Sequence, residues 1–207
     1  MSEAPDSLSH LAYLALEHLI VTLKLRPGAL VTEKQLIELA GQGRTPVREA
    51  IQKLAWQELI IVRPRVGLQI AAIKDSDHAH IIQVRHELEA LAAGLVARHA
   101  SDAQRGALLT CAQTMTACAV SGDIASFLTA DKMFDEIFED ACPNKFLTAA
   151  LAPLQTHSRR IWFATASHER MDRSIALHVS VIRSIQQGDV AGATKAMEIL
   201  IDHISQA

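Results

Sequence analysis

In the first 74 residues, segments with helical and then strand-like spacing of apolar residues follow one another in an order that few folds share. Apolar residues recur at helical spacing from Leu8 to Leu23, and Pro27-Gly28 ends this predicted first helix. Thr32-Glu33-Lys34-Gln35 has the form of a capping box, which predicts the start of a short second helix. A third apolar stripe follows the Gly41-Gln42-Gly43 turn and consists of Val47, Ala50, Ile51 and Leu54.

The pattern changes after Glu58, where β-branched residues replace the helical spacing. The runs "LIIVRP" and "VGLQIAAI" surround a turn formed by Pro64-Arg65-Val66-Gly67, which predicts two strands in a hairpin. Three short helices followed by a hairpin is the element order of a winged helix-turn-helix, which we expect over residues 1–74. The polar segment Lys74-Asp75-Ser76-Asp77 marks the predicted domain boundary.

Residues 75–207 are predicted to be entirely helical. Capping signals such as Ser101-Asp102 and Gly122-Asp123 separate the periodic segments. The predicted helices cover 77–99, 102–119, 123–140, 145–165, 171–187 and 189–205, and Pro153 is expected to kink or divide the fourth. The predicted fold is therefore mainly α, with an N-terminal winged helix-turn-helix and a C-terminal antiparallel bundle of about six helices.

Composition narrows the class of protein further. The chain is 49% hydrophobic and only 4% aromatic, which favours packed helices over a sandwich of strands. No apolar run approaches the roughly 20 residues that span a bilayer, and "MSEAPDSLSH" lacks the features of a secretory signal. Cys111, Cys118 and Cys142 lack C-x-x-C spacing, so buried thiols are favoured over redox or metal chemistry. We therefore expect a cytoplasmic protein with no membrane partner.

Charge is distributed unevenly along the chain, whose net charge is −3. Residues 41–74 contain six Lys/Arg and two Asp/Glu, whereas residues 75–207 contain eleven Lys/Arg and sixteen Asp/Glu. A local basic region on an acidic chain suggests a polyanionic partner, although a solvated charged surface would give the same composition.

The arginines lie where a helix-turn-helix contacts DNA. The second helix of this motif enters the major groove with its N-terminal residues on the base edges. Arg44 and Thr45 precede the third predicted helix, with Thr45 as its N-cap and Pro46 at its first position, and Arg48 lies in its first turn. A guanidinium can contact guanine or phosphate, and the Thr45 hydroxyl suits phosphate. Glu49 can accept from a cytosine amino group or pair with Arg48.

The predicted hairpin tip supplies a second group of candidate DNA contacts, Arg63, Arg65 and Gly67. These residues can follow the flanking DNA backbone or enter the minor groove, because glycine permits close approach and arginine is attracted by the negative potential. Each arginine taken singly could be an ordinary surface residue. Taken together, the helix order, the Thr-Pro start and the hairpin favour binding to double-stranded DNA.

The segment "EKQLIELAGQGRTPVREAIQKLAWQELIIVRPRVGLQI" resembles the winged-helix domain of GntR-type transcription regulators. The resemblance covers about residues 8–73, and "LKLRPGALVTE" is similar to the family's link between its first two helices. It implies DNA contacts for Arg44, Thr45, Arg48 and Gly67. One departure is the Gly41-Gln42-Gly43 turn, which stands where relatives usually have a Leu-Gly-Val-Ser-like sequence.

In the helical half, two acids lie on one face of a predicted helix. Asp131 and Asp135 are four residues apart, and two carboxylates facing a core repel each other unless a cation or donor joins them. His178 lies between Ile175 and Ile182 at helical spacing, so it also points inward. Carboxylates with an imidazole suit zinc, manganese or nickel. The alternative is a metal-free pocket whose acids are partly solvated or paired with arginine.

Segments between residues 80 and 203, including "IIQVRHELEALAAGLVARHAS", are similar to the FCD-type, FadR-like effector domain found behind such winged helices. The resemblance implies a pocket for a small organic acid or sugar acid, often with a divalent metal held by one Asp and three His. Asp131 and His178 match two of these ligands, and Asp135 stands where a His is usual. The last His is expected at position 200, which is Leu200 here, and His203 lies one turn later. The metal site is therefore altered or lost.

Arg85 matches the family's arginine in the first bundle helix and is predicted to bind an effector carboxylate. An ion pair with Glu89, four residues on, is the alternative. His157 and Arg160 are further candidates for the effector pocket.

The favoured function is a homodimeric transcription regulator that reads a palindromic operator and responds to an effector. Two alternatives remain open. A metal-dependent enzyme would use Asp131, Asp135 and His178, but no nucleophile–base pair or phosphate loop is visible. A nonspecific architectural DNA-binding protein would be expected to show broader basicity.

Overall fold

The computed structural model describes residues 7–205, so most of the N-terminal "MSEAPDSLSH" segment lies outside the described residues. The chain divides into two compact units, Met1–Lys74 and Asp75–Ala207. The prediction of a mainly α protein is confirmed, since nine helices and three short strands form within the described range.

The helices of the first unit are α1 (Leu8–Val21), α2 (Glu33–Ala40) and α3 (Arg44–Trp56). The predicted capping box at the start of α2 is confirmed, because the Gln35 N–H donates to the Thr32 hydroxyl and the Thr32 N–H donates to the Gln35 side-chain oxygen. Gly41 ends α2 in the left-handed conformation, with φ 63°. The apolar faces of the three helices form one core, whose fully buried members include Leu16, Ile20, Leu36, Val47 and Leu54.

Helix α3 begins two residues earlier than predicted. Gly43 is its N-cap, in an extended conformation and without a side-chain hydrogen bond, so Thr45 is the second helical residue and Pro46 the third. The prediction of Thr45 as N-cap is therefore wrong. The shift is tolerated because the first-turn N–H groups have no acceptor inside the helix, so a proline at the third position loses no hydrogen bond.

A three-stranded antiparallel sheet completes the first unit, with strands β1 (Leu30–Val31), β2 (Ile60–Arg63) and β3 (Gly67–Ile70) in the order β1-β3-β2. The predicted hairpin is β2 and β3, with Arg63 opposite Gly67. Strand β1 was not predicted from the sequence. It has only two residues, too few for an alternating pattern, and it exists through its pairing with Leu68 and Gln69 of β3.

The second unit consists of six helices: α4 (Asp75–His99), α5 (Asp102–Ser121), α6 (Ile124–Ala141), α7 (Lys145–Ala164), α8 (His168–Gln186) and α9 (Val190–Ile204). Helix α9 packs on α4 and α8, while α7 packs on α4 and α6. Pro153 does not divide α7, which continues through it, since neighbouring tertiary contacts outweigh the loss of one backbone hydrogen bond. In the range that the structure describes, no helix has the length and apolarity needed to cross a membrane.

The bundle core is largely aliphatic, with a few aromatic residues such as Phe127 and Phe134, and it includes all three cysteines. Cys111, Cys118 and Cys142 are buried free thiols, as predicted. Burial raises the pKa of Cys111 to about 12, with the charges of Asp131 and Asp135 adding to the effect. Cys111 is therefore an uncharged core residue at neutral pH and not a nucleophile.

Candidate functional site

The arginines at the start of α3 are joined to the start of α2 by one acid. The Arg44 Nε lies 2.9 Å from the Glu33 Oε1, and the Arg48 Nε lies 3.4 Å from the Glu33 Oε2. Both guanidinium-bearing side chains remain largely exposed, at 73% and 61%. Exposed ion pairs contribute only about 0–1 kcal/mol, so Glu33 orients the two arginines more than it stabilises the fold.

Thr45 and Glu49 are also exposed on α3. Thr45 lies in the first turn, where free backbone N–H groups and the positive end of the helix dipole suit a phosphate. Arg48 forms its ion pair with Glu33, on the neighbouring helix, and not with the adjacent Glu49 that the sequence offered as a partner. This end of α3 therefore combines two oriented cations, a hydroxyl and backbone donors.

The tip of the β2–β3 hairpin is a tight turn. The Val66 N–H donates to the Arg63 carbonyl at 3.1 Å, and Arg65 adopts a left-handed conformation with φ 65°. Gly67 has φ 124°, which L side chains rarely adopt, and a Cβ there would lie 3.5 Å from the Val31 carbonyl. All three predicted contacts, Arg63, Arg65 and Gly67, are exposed at this tip.

Arg63 is held in place by a short chain of hydrogen bonds. Its Nε donates to the Gln69 side-chain oxygen at 2.9 Å, and the Gln69 amide donates to the Gly28 carbonyl at 2.9 Å. Within the hairpin, Arg63 is therefore anchored to the sheet, whereas Arg65 extends from the turn itself.

In the second unit, a cavity lies between α4, α6, α7 and α8, with Ile204 at the end of α9 also in its lining. Its lining includes Arg85, Asp131, Asp135, Ser158, Arg159 and Trp162. Its free volume is about 20 Å³, which is enough for about one water molecule. A larger ligand therefore requires lining side chains to move.

Both predicted acids are bound by one arginine that the sequence analysis did not single out. The Arg159 Nε donates to the Asp131 Oδ2 at 2.8 Å, and an Arg159 terminal nitrogen donates to the Asp135 Oδ2. The three side chains are mostly buried, with exposed fractions of 6%, 21% and 16%. This arrangement matches the alternative given in the sequence analysis, in which the two acids are paired with an arginine. The sequence has no local signal for Arg159, because its partners lie on another helix, 28 and 24 residues away.

His178 completes the cluster from α8. Its Nε2 lies 3.3 Å from the Asp131 Oδ1, and its Nδ1 lies 2.9 Å from the Ser174 carbonyl oxygen. The ring also packs edge-on against Phe134, with centroids 5.0 Å apart. Because both ring nitrogens face oxygen acceptors, His178 serves as a buried hydrogen-bonding partner of Asp131.

The two acids have different protonation preferences. Burial opposes the ionised form of Asp131, but the hydrogen bond to His178 and the charge of Arg159 outweigh it and lower its pKa. Burial raises the pKa of Asp135 to about 7, and the charge of Arg159 offsets this only in part. For His178, burial favours the neutral ring, but the contact with Asp131 outweighs it and raises the pKa. Asp131 is therefore the firmly charged acid of the pair.

Arg85 lies at another wall of the cavity. Its Nε donates to the Glu89 Oε1 at 2.6 Å, and a terminal nitrogen donates to the Ser158 hydroxyl at 2.6 Å. Arg85 and Glu89 are buried, at 6% and 3% exposed. The ion pair offered as an alternative for Arg85 is therefore present, and Arg85 still lines the cavity.

His157 and Arg160 are not part of this cavity lining. Residues 155, 158, 159 and 162 share the face of α7 that borders the cavity, and 157 and 160 fall on the opposite side of the helix. Arg160 is nevertheless only 1% exposed, and burial lowers its pKa to about 10. Helical spacing places 157 and 160 on one face of α7, but only the structure shows that this face points away from the cavity.

The residues present do not fit a resident metal as they are arranged. Within residues 7–205, no group of three or more His, Cys, Asp or Glu side chains could hold a metal ion. Arg159 fills the position between the acids, and His203, which is half-buried on α9, is not in the cavity lining. The predicted set of Asp131, Asp135, His178 and His203 is therefore incomplete, because Arg159 stands between the two acids and His203 lies outside the cavity lining.

Two family models match the chain. Residues 8–70 match the model described as bacterial regulatory proteins, gntR family, and residues 80–203 match the FCD domain. A probable D-xylose utilization operon transcriptional repressor of Paenarthrobacter nicotinovorans is 28% identical over 178 residues, covering 84% of this chain and 76% of that relative. An uncharacterized HTH-type transcriptional regulator of Agrobacterium vitis is 32% identical over 128 residues, covering 60% of this chain and 75% of that protein.

Solved structures share the fold at low sequence identity. McbR/YncC of E. coli is similar with a TM-score of 0.81 at 19% identity, covering 95% of this chain and 94% of that chain. A putative GntR transcriptional regulator from Rhodococcus sp. RHA1 is similar with a TM-score of 0.76 at 14% identity, covering 96% and 95%. The arrangement of helices described above is thus common to proteins of divergent sequence.

Proposed function

The chain belongs to the gntR family of bacterial regulatory proteins and carries an FCD domain, and from this we propose that a small carboxylate in the α4–α8 cavity controls its affinity for operator DNA. The protein is a DNA-binding transcription regulator, and the names of its relatives are those of regulators and not of enzymes. The metal-dependent enzyme considered above is therefore set aside.

The observation that carries the effector proposal is the cavity lined by two buried guanidinium groups. Arg85 and Arg159 line it together with the Ser158 hydroxyl. Guanidinium forks bind carboxylates through paired, charge-assisted hydrogen bonds, which favours an organic acid or a sugar acid. Arg159 already binds Asp131 and Asp135, and Arg85 binds Glu89, so the effector carboxylate would have to compete with these acids for the guanidinium N–H groups. The Paenarthrobacter relative is named for D-xylose utilization, so sugars and sugar acids belong in the first set of ligands to test.

We assign DNA recognition to residues 1–74, with Arg44, Thr45, Arg48 and Glu49 at the major groove and Arg63, Arg65 and Gly67 along the flanking DNA. Support comes from the exposure of these residues and from the pairing of Arg44 and Arg48 with Glu33. We propose that a homodimer in the cytoplasm reads a palindromic operator, because winged helices of this kind use two-fold symmetry to contact two half-sites. Effector binding would change operator affinity by favouring one arrangement of the dimer.

Tryptophan fluorescence offers a direct test of the effector proposal. The chain has two tryptophans, of which Trp56 is 92% exposed and Trp162 is 5% exposed in the cavity lining. In a Trp56→Phe variant, Trp162 reports on the cavity alone. Organic and sugar acids are added one by one, and we expect a saturable change in emission together with a higher melting temperature.

The same acid is then added to the protein bound to DNA from upstream of its own gene. We expect operator affinity to change while affinity for random duplex of the same length does not. Equal binding to both duplexes at physiological salt would instead support the architectural DNA-binding protein. An acid that shifts Trp162 emission without altering operator binding would refute control by this cavity.

A further inference from the structure

The cavity of the second unit contains a complete charge cluster that uses no ion. We propose that the Arg159 guanidinium is the permanent cation of this site and takes the place of a divalent metal between Asp131 and Asp135. The inference concerns the cavity named in the proposed function, but it stands on the geometry of the bundle and does not require the effector to be a carboxylate.

The first support is the position of the guanidinium. Asp131 and Asp135 lie one turn apart on α6, and Arg159 reaches both from α7 through different nitrogens. A planar fork with several N–H donors can satisfy two carboxylates at once, as a metal ion would. Arg159 thus joins α6 to α7 through its side chain.

The second support is burial. The Arg159 side chain is only 6% exposed, and the acids are 21% and 16% exposed. A cation that enters the space between the acids would have to displace a buried guanidinium or remain beside it, and like charges at that separation repel strongly in a poorly hydrated site. The position is therefore filled by the chain itself.

The third support is the residue at position 135. Position 135 carries a carboxylate, and Asp135 accepts a hydrogen bond from an Arg159 terminal nitrogen. A carboxylate accepts hydrogen bonds from a guanidinium, whereas a histidine there would offer at most one acceptor nitrogen. Asp135 and Arg159 therefore form a matched pair in place of a metal ligand and its ion.

Metal titration of the full-length wild-type protein tests the proposal directly. Zn²⁺, Ni²⁺ and Mn²⁺ are titrated after exhaustive chelation, and binding is followed by calorimetry and thermal shift. We expect no stoichiometric site in the bundle and no change in melting temperature on chelation. Stoichiometric Zn²⁺ binding that is lost in Asp131→Asn would overturn the proposal.

A gain-of-binding variant provides the second test. In Arg159→Met the acids lose their cation, so we expect a new Zn²⁺ site that raises the melting temperature and disappears in the double variant Arg159→Met/Asp131→Asn. Arg173→Met, which removes an exposed arginine of α8, is the matched control and is expected to gain no site. A folded Arg159→Met that binds no more Zn²⁺ than the control would also overturn the proposal.

If Arg159→Met does not fold, the wild-type titration still decides the question. These measurements use neither DNA nor effector, so their failure is distinguishable from failure of the proposed function. Metal binding by the wild-type protein would overturn this proposal but would leave the response to an acid untouched. Conversely, a protein that binds no metal could fail to respond to any acid, which would overturn only the proposed function.

Discussion

Glu33 and Arg44 form an ion pair across the two helices of the helix-turn-helix, with the Glu33 Oε1 2.9 Å from the Arg44 Nε. The same carboxylate lies 3.4 Å from the Arg48 Nε. An acid so close to the start of α3 would oppose phosphate binding there through its charge. Its presence is explained if it holds the arginines in the orientation that reads bases.

Replacing Glu33 should therefore reduce the protein's preference for operator over random DNA more than it reduces its affinity for DNA in general. In Glu33→Gln we expect specific operator binding to weaken by roughly 1 kcal/mol or less, while random duplex binds as well or better because a negative charge is gone. Fluorescence anisotropy at two salt concentrations measures both values. Glu38→Gln, on the same helix and paired with Lys34, is the control; an equal effect in both variants would mean that only net charge matters.

Arg48 is predicted to read a base. Arg48→Ala should then cost about 1–3 kcal/mol of specific binding and relax preference at one base-pair position. If it contacts a phosphate instead, all sequences should weaken alike and the salt slope should fall by about 1. Arg98→Ala removes an exposed arginine of the second unit and serves as the reference. Unchanged operator binding in Arg48→Ala would contradict the assignment.

The hairpin tip depends on a glycine. Gly67 has φ 124°, so Gly67→Ala should lower the free energy of unfolding by about 1–3 kcal/mol through backbone strain. Gly106→Ala gives a contrast within the chain, because a Cβ there meets no atom within 4 Å and the residue is helical. That change should stabilise the protein by about 0.5–1 kcal/mol. Urea unfolding of the two variants checks the opposite signs.

The buried pair of Arg85 and Glu89 gives a prediction about stability. Arg85→Met leaves Glu89 buried without its ion-pair partner, so we expect a loss of about 3–5 kcal/mol. The double variant Arg85→Met/Glu89→Leu removes both charges and should recover most of that loss. Chemical denaturation of the single and double variants measures the coupling. Strictly additive losses would show that the pair does not act as a unit.

The local features of the fold could be predicted because their signals lie within a few residues. The capping box at Thr32 and Gln35 and the left-handed Gly41 set the ends of α2, and Ser101 with Gln104 does the same at the start of α5. The start of α3 was predicted two residues too late, because the Thr45 hydroxyl suggested an N-cap at that position. In the structure Gly43 is the N-cap, in an extended conformation, and the helix begins at Arg44.

The amino-acid sequence by itself determined the order of helices and the hairpin, because capping and apolar spacing act over one or two turns. Only the tertiary structure decided which partners those residues have. Glu33 meets Arg44 across eleven positions, and Arg159 meets Asp131 across 28. Such pairings depend on how the helices pack, because packing determines which oppositely charged side chains lie within hydrogen-bonding distance of each other.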